Sequence, residues 1–203
     1  VEYKGKPIID SILDAMRACS LSDITIVKGY RADVLERPDT RSVINPAYDR
    51  TNMVHTLFCA EEELNDDVII SYADIVYKKE VLQALIEAKG DLTVVVDTKW
   101  KELWRKRMED PLADAETMKI DQQGNITELG KKPQSEEDIQ AQYIGLFKIA
   151  KEFVSQVREF YHSLDREAKY DGKDFDNMYM TSFLQLIIDR LGAARAVPIA
   201  GGW

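Results

Sequence analysis

Val68-Ile-Ile-Ser-Tyr-Ala-Asp-Ile-Val-Tyr77 is a nearly continuous apolar run carrying a carboxylate just past its first strand-length piece. Val68 to Ser71 reads as a strand buried on both faces, and Lys79 to Ala88 as the helix after it. A further apolar strand, Leu92 to Val96, follows that helix. Towards the N-terminus the same alternation repeats. A helix opened by Pro7, with Ile8, Ile9, Ile12, Leu13 and Met16 at helical spacing, leads to the β-branched run Ile24-Thr25-Ile26-Val27 and a Gly29-Tyr30 turn. Next come a strand at Ser42-Val43-Ile44, a polar loop, and a helix from about Asn52 to Leu64. Apolar strands alternating with amphipathic helices predict an α/β fold with a mainly parallel sheet covered by helices on both faces. In such sheets ligands bind at the carboxyl ends of the strands.

Beyond Asp97 the pattern changes. A Trp- and Arg-rich helix covers about Lys99 to Met108, and Thr117–Ile120 and Ile126–Leu129 flank Gln123-Gly124-Asn125 as a hairpin. A strongly apolar strand from Tyr143 to Ile149, helices near 151–164 and 177–191, and a last strand around 196–199 complete the chain. This half reads as an α+β lid on the first. The whole reads as one domain of 203 residues, with a nucleotide-binding half at about 1–96 and an acceptor-binding half at about 97–203.

Composition narrows the partners. A net charge of −9 argues against a nucleic-acid surface, so any phosphate must be handled by a few local cations or a divalent metal. No apolar run approaches the roughly 20 residues of a membrane-spanning helix. Cys19 and Cys59 lie in apolar helical patterns and read as free thiols of a reducing cytoplasm.

Asp74 is the first candidate for chemistry. A carboxylate just past an apolar strand stands at the ligand edge, where Mg²⁺ typically takes one or two carboxylates plus phosphate oxygens and water; the alternative is a cap on the next helix. Asn45-Pro-Ala-Tyr-Asp-Arg-Thr51-Asn52 is the second candidate. Capping of the next helix explains Thr51 and Asn52, while the same helix start offers free N–H groups to an anion, with Thr56 on the face of Asn52. The third is the segment from Asp97. Trp100, Trp104 and Arg107 share a helix face, which fits either a packed core or the wall of a substrate pocket next to Asp97. Tyr143 and Tyr179 are the remaining candidates for that pocket.

Taken in order, these segments resemble the nucleoside-triphosphate transferase family, nearest the cytidylyltransferases acting on phosphocholine, 2-aminoethylphosphonate or phosphorylated amino-acid-like substrates. Gly5-Lys6-Pro7-Ile8-Ile9 and the strand ending in Gly29-Tyr30 resemble its first helix and second strand. Asn45-Pro46 to Asn52 resembles its nucleoside loop, Tyr72-Ala73-Asp74 its metal aspartate, and Ala141 to Phe147 its Gly-containing strand, with Gln142 where Glu is common. The resemblance implies a Rossmann-like, GT-A-like fold, Mg²⁺ on Asp74, Ala73 packed at the nucleotide, and Thr51, Asn52 and Thr56 at the nucleoside of CTP. Asp97, Trp100, Arg107, Tyr143 and Tyr179 would then take the acceptor. It implies a cytoplasmic enzyme, with a homodimer among its possible states, that releases pyrophosphate and serves cell-surface polysaccharide or phosphonate synthesis. The family's Gly-rich loop and catalytic Lys would precede the segment matching Val1, and its second metal Asp would follow Trp203. Two other readings stay open: a sugar-1-phosphate nucleotidyltransferase using another base, and a non-catalytic nucleotide-binding module.

Overall fold

Leu92-Thr-Val-Val-Val-Asp97 is buried at every position, and the sheet is assembled around it. A strand shielded on both faces needs apolar or β-branched side chains throughout, not at alternate positions, and this segment supplies them. The computed structural model describes residues 2–192 and 194–203. In chain order its strands are β1 (Glu2–Tyr3), β2 (Lys6–Pro7), β3 (Thr25–Lys28), β4 (Arg41–Ile44), β5 (Val68–Ser71), β6 (Leu92–Asp97), β7 (Met118–Ile120), β8 (Asn125–Leu129), β9 (Gln142–Ile149) and β10 (Ala194–Ile199). The helices are α1 (Ile8–Ala18), α2 (Met53–Cys59), α3 (Lys79–Glu87), α4 (Trp100–Arg107), α5 (Lys151–Ser163) and α6 (Met180–Arg190).

Six strands form one sheet in the order β5-β9-β6-β10-β8-β7. Strands β6 and β10 are parallel, and β9 runs antiparallel between β5 and β6, so β5, β6 and β10 share one direction. Leu92, Val94 and Val96 pack with Phe147, Phe153, Val154 and Phe183 under α2, α5 and α6. Val95 faces the other way, onto Ile12, Val81, Leu82 and Leu85 of α1 and α3. The α/β class and the helices on both faces are those expected from the sequence.

Three features differ from the expectation. The Tyr143–Ile149 segment runs against both its neighbours, a direction the sequence did not disclose because a continuous apolar run reports only burial on two faces. Strands β3 and β4 pair in parallel with each other as a separate two-stranded sheet. Strands β9 and β10 bring the second half into the middle of the main sheet, and the β7–β8 hairpin extends it from β10, so the α+β portion is continuous with the rest.

Strand β9 is irregular where it matters. Val94 pairs with Phe147 and Val96 with Tyr143, so Ile144 to Leu146 all lie opposite Val95. Such a bulge re-aims the side chains beside it. Gly145 sits in the bulge at φ 83°, and a Cβ there would come within 2.6 Å of the Tyr72 ring. Glycine is thus required for both its backbone and the close approach of Tyr72. Lys148 of the same strand is buried and donates to the carbonyls of Ile86 and Ala88 at the end of α3, where a cation offsets the helix dipole.

Candidate active site

The carboxyl end of β5 and the amino end of β9 meet at one sheet edge, because Ser71 pairs with Leu146 and Tyr72 N–H donates to Gly145 C=O at 2.8 Å. Ala73 and Asp74 follow in an exposed turn. The Asp74 carboxylate has no hydrogen bond or ion pair among the described residues, and the next helix begins only at Lys79 with no side-chain cap. It therefore stands free at the edge. One hard-oxygen donor facing solvent suits Mg²⁺, which completes its octahedron with phosphate oxygens and water.

Tyr72 and Tyr143 meet edge to face at this point, with ring centroids 5.7 Å apart. The Tyr143 hydroxyl is cut off from solvent, and the Tyr72 hydroxyl is the polar group acting on it. Burial pushes both phenols well above their ordinary pKa. The Glu116 carboxylate adds to the rise on both, and Asp74 to that on Tyr72. Glu116 itself is partly buried, and that burial raises its carboxyl pKa. Gln142 clamps the Glu116 backbone, accepting from its N–H at 3.2 Å and donating to its C=O.

The loop after β4 is organised by Asn45, which is 1% exposed. Its Nδ2 donates to the hydroxyls of Thr51 and Thr56, each at 3.0 Å, and its Oδ1 accepts from Ala47 N–H at 2.9 Å. Thr51 donates in turn to Ala47 C=O and Thr56 to Asn52 C=O. Gly29 lets this loop close on the end of β3, since a Cβ there would lie 2.4 Å from Tyr48 Cβ. Asn52 caps α2 through Met53 N–H, and its own N–H donates to Asp176 C=O at 2.9 Å. Contacts therefore pass from the Thr51–Thr56 loop to the turn before α6.

In the sequence Asn45 stood only as the first residue of the candidate loop, with no role of its own. Replacing it with Ala leaves both threonine hydroxyls without their buried donor, at about 1–3 kcal/mol. Asn45→Ala is expected to lower Tm and to raise KM for the nucleotide more than KM for the acceptor. Steady-state kinetics with each substrate varied in turn checks this; an unchanged nucleotide KM would mean that the network does not face the nucleotide.

The remaining predicted residues fare differently. Asp97 is 2% exposed, and its carboxylate accepts from the N–H groups of Lys99 and Gly201, each at 2.9 Å, and from Trp203 Nε1 at 2.8 Å. These donors occupy it as a tie between strand β6 and the segment after β10. Trp100 and Trp104 are 1% and 6% exposed and build a small core with Ala115, Ile139 and Trp203. Of the two sequence readings for that helix face, the packed core is the one observed. Arg107 is exposed and lies over the Trp104 ring at 5.6 Å. Tyr179 is exposed, with Lys173 over its ring at 5.2 Å.

Residues 1–132 match the family profile described as the MobA-like NTP transferase domain. The chain is 49% identical, over 214 aligned residues, to the CTP:phosphoglutamine cytidylyltransferase of Campylobacter jejuni subsp. jejuni, an alignment covering 100% of this chain and 84% of that enzyme. Two solved structures share its fold. The inositol-1-phosphate CTP transferase of T. maritima superposes with a TM-score of 0.72 at 12% identity, over 98% of this chain and 75% of that one. A Bacillus anthracis protein assigned as a glucose-1-phosphate thymidylyltransferase, in complex with sucrose, gives 0.73 at 16% identity, over 100% and 78%.

Proposed function

Because this chain belongs to the MobA-like NTP transferase family and is a nucleotidyltransferase, we propose that it moves CMP from CTP to the phosphoryl group of a small phosphorylated amine or amino acid. Phosphoglutamine is the first acceptor to test. The observation that carries this reading is the 49% identity to the Campylobacter enzyme along the full length of this chain. The free Asp74 carboxylate after β5, and separately the Thr51 and Thr56 hydroxyls held by Asn45 after β4, support it.

In the reaction a phosphoryl oxygen of the acceptor attacks the α-phosphorus of CTP. A new P–O–P bridge forms, the bond to the β-phosphate breaks, and its electron pair leaves with pyrophosphate. Such chemistry asks the protein mainly for positioning and for neutralisation of phosphate charge. The family uses a divalent metal, and we assign Mg²⁺, held by Asp74, which would supply that neutralisation when bound. Thr51 and Thr56, fixed by Asn45, present hydroxyls to the nucleoside, and Asn52 anchors their loop to the turn before α6. Ala73 lets the nucleotide lie close to the turn. Tyr143 and Tyr179 border the acceptor. Arg107, exposed and without an ion pair among the described residues, is the cation available to an acceptor carboxylate, which a guanidinium can bind through two parallel hydrogen bonds. In this division residues 1–96 serve mainly the nucleotide and 97–203 mainly the acceptor. A reducing cytoplasm suits the two free cysteines, and among the described residues no helix is long and apolar enough to cross a membrane.

Pyrophosphate release measured with CTP, UTP, GTP and dTTP decides the base. CTP is expected to lead in kcat/KM by at least about tenfold, the discrimination of roughly one well-made hydrogen bond. A lead for UTP or dTTP would move the protein to the sugar-phosphate enzymes.

A further inference from the structure

We propose that Lys28 is a cation for the triphosphate of the nucleotide, and that Glu36 serves as its internal counter-anion until the nucleotide arrives. This rests on the nucleotidyltransfer reading above. Lys28 is the last residue of β3, and its side chain is 1% exposed. Among the described residues its ammonium has one acceptor, Glu36 Oε1 at 2.8 Å, and the Glu36 side chain is 77% exposed. An ammonium that close to a carboxylate lying in solvent sits just beneath the surface, with further N–H donors to give.

Stability alone does not account for this pair. Taking an ammonium out of water costs more than one exposed partner returns, and an apolar residue of similar volume is often as good or better in such a place. The other buried lysine among the described residues, Lys148, shows a structural ammonium by contrast, since two carbonyls at the end of α3 accept from it. Nor does the loop that carries Glu36 need the pair to hold its course. Arg37 bonds Asp10 of α1, and Arg17 of the same helix donates to Pro38 C=O at 3.1 Å.

Position identifies the anion. Strands β3 and β4 are parallel, so their carboxyl ends lie together, and Asn45 N–H donates to Lys28 C=O at 2.8 Å. Asn45 is also the residue that holds Thr51 and Thr56. The buried ammonium therefore springs from the same strand end as the loop proposed for the nucleoside. A chain of net charge −9 repels a triphosphate as a whole and needs a cation placed at the point of binding. A phosphate oxygen meets the ammonium as the Glu36 carboxylate does, through a charge-assisted hydrogen bond. When it binds, the exposed Glu36 turns into water, and the buried charge keeps a partner throughout. The acceptor's phosphoryl group offers the same oxygens, and the link through Asn45 favours the triphosphate.

The test is equilibrium binding of CTP with Mg²⁺ by calorimetry, beside a thermal melt of each protein. Lys28→Met keeps the apolar stem without the charge. It is expected to weaken CTP by about 10- to 100-fold, the range of a hydrogen bond to a charged group, with Tm equal to or above wild type. Glu36→Gln keeps an acceptor oxygen and removes the competing charge, so it should tighten CTP by about 2- to 5-fold, the range of an exposed ion pair. Opposite signs from the two partners are what a mere structural tie does not give. Lys28→Met decides alone if Glu36→Gln melts early. Acceptor KM, from pyrophosphate release, separates the two phosphate sources and should stay near wild type in Lys28→Met. A raised acceptor KM with CTP binding intact overturns the assignment to the triphosphate. Unchanged CTP binding in Lys28→Met, or weaker binding in a folded Glu36→Gln, overturns the proposal while leaving the cytidylyltransfer reading standing. A wild-type protein that binds no CTP overturns that reading and the Lys28 site with it.

Discussion

Asp74→Ala is expected to lower kcat by roughly 10³-fold or more, the effect of losing several kcal/mol of metal-borne charge stabilisation, while Tm stays at the wild-type value. The two halves of this expectation come from one placement. Asp74 is exposed in the turn after β5 and makes no hydrogen bond or ion pair among the described residues, so the fold does not need it. Surface substitutions of that kind usually cost within about 0.5 kcal/mol. On the proposed assignment that free carboxylate acts only when metal and nucleotide are bound. Pyrophosphate release at saturating CTP and Mg²⁺, with a thermal melt of the same preparation, measures both halves. Near-wild-type turnover would remove Asp74 from the metal site. A large drop in Tm would show that the turn was being held by the side chain after all.

Much of the fold could be read along the chain because its signals are local. Strands β5 and β6 carry β-branched residues at successive positions, and α1, α3 and α5 carry apolar residues at helical spacing, so their limits fall within a residue or two of expectation. The helix expected to reach Leu64 stops at Cys59 and passes through Ala60 into a short 3₁₀ turn of three glutamates. Local apolarity does not encode strand direction, so the antiparallel run of β9 inside a sheet expected to be mainly parallel had no local signal. Its bulge was partly visible: Gly145 inside an apolar run marks either a kink or a close approach, and the structure uses it for both.

The site was legible only where chemistry follows chain position. Asp74 and the Thr51–Thr56 loop could be proposed because strand ends and helix starts can be located from periodicity. The role of Asn45 was not legible, because it lies in partners 6 and 11 residues away, Thr51 and Thr56, which only the folded loop brings onto its side chain.

Asp97 shows the same limit from the other side, and its substitution should have the largest effect on stability. In sequence it is the twin of Asp74, a carboxylate closing an apolar strand. What separates them is Gly201 and Trp203, more than a hundred residues later, whose N–H groups reach Asp97 and leave Asp74 untouched. Asp97→Ala would strand the N–H groups of Lys99, Gly201 and Trp203 in a partly buried setting. At about 1–3 kcal/mol for a lost buried partner, and with no simple additivity among three, a loss of about 3 kcal/mol or more is expected. Asp97→Asn keeps the shape but turns an NH₂ towards one of those donors, so it should cost less. A double-mutant cycle with Trp203→Phe isolates that contact, and a coupling of about 1 kcal/mol is expected from denaturant unfolding of the four proteins. Kinetics supplies the opposing arm. Were Asp97 the acceptor's anion, Asp97→Asn would raise the acceptor KM and leave the melt almost unmoved. A buried tie predicts the reverse, a lowered melt with the acceptor KM near wild type in the folded fraction. Only the second outcome is compatible with a carboxylate that already receives three protein hydrogen bonds.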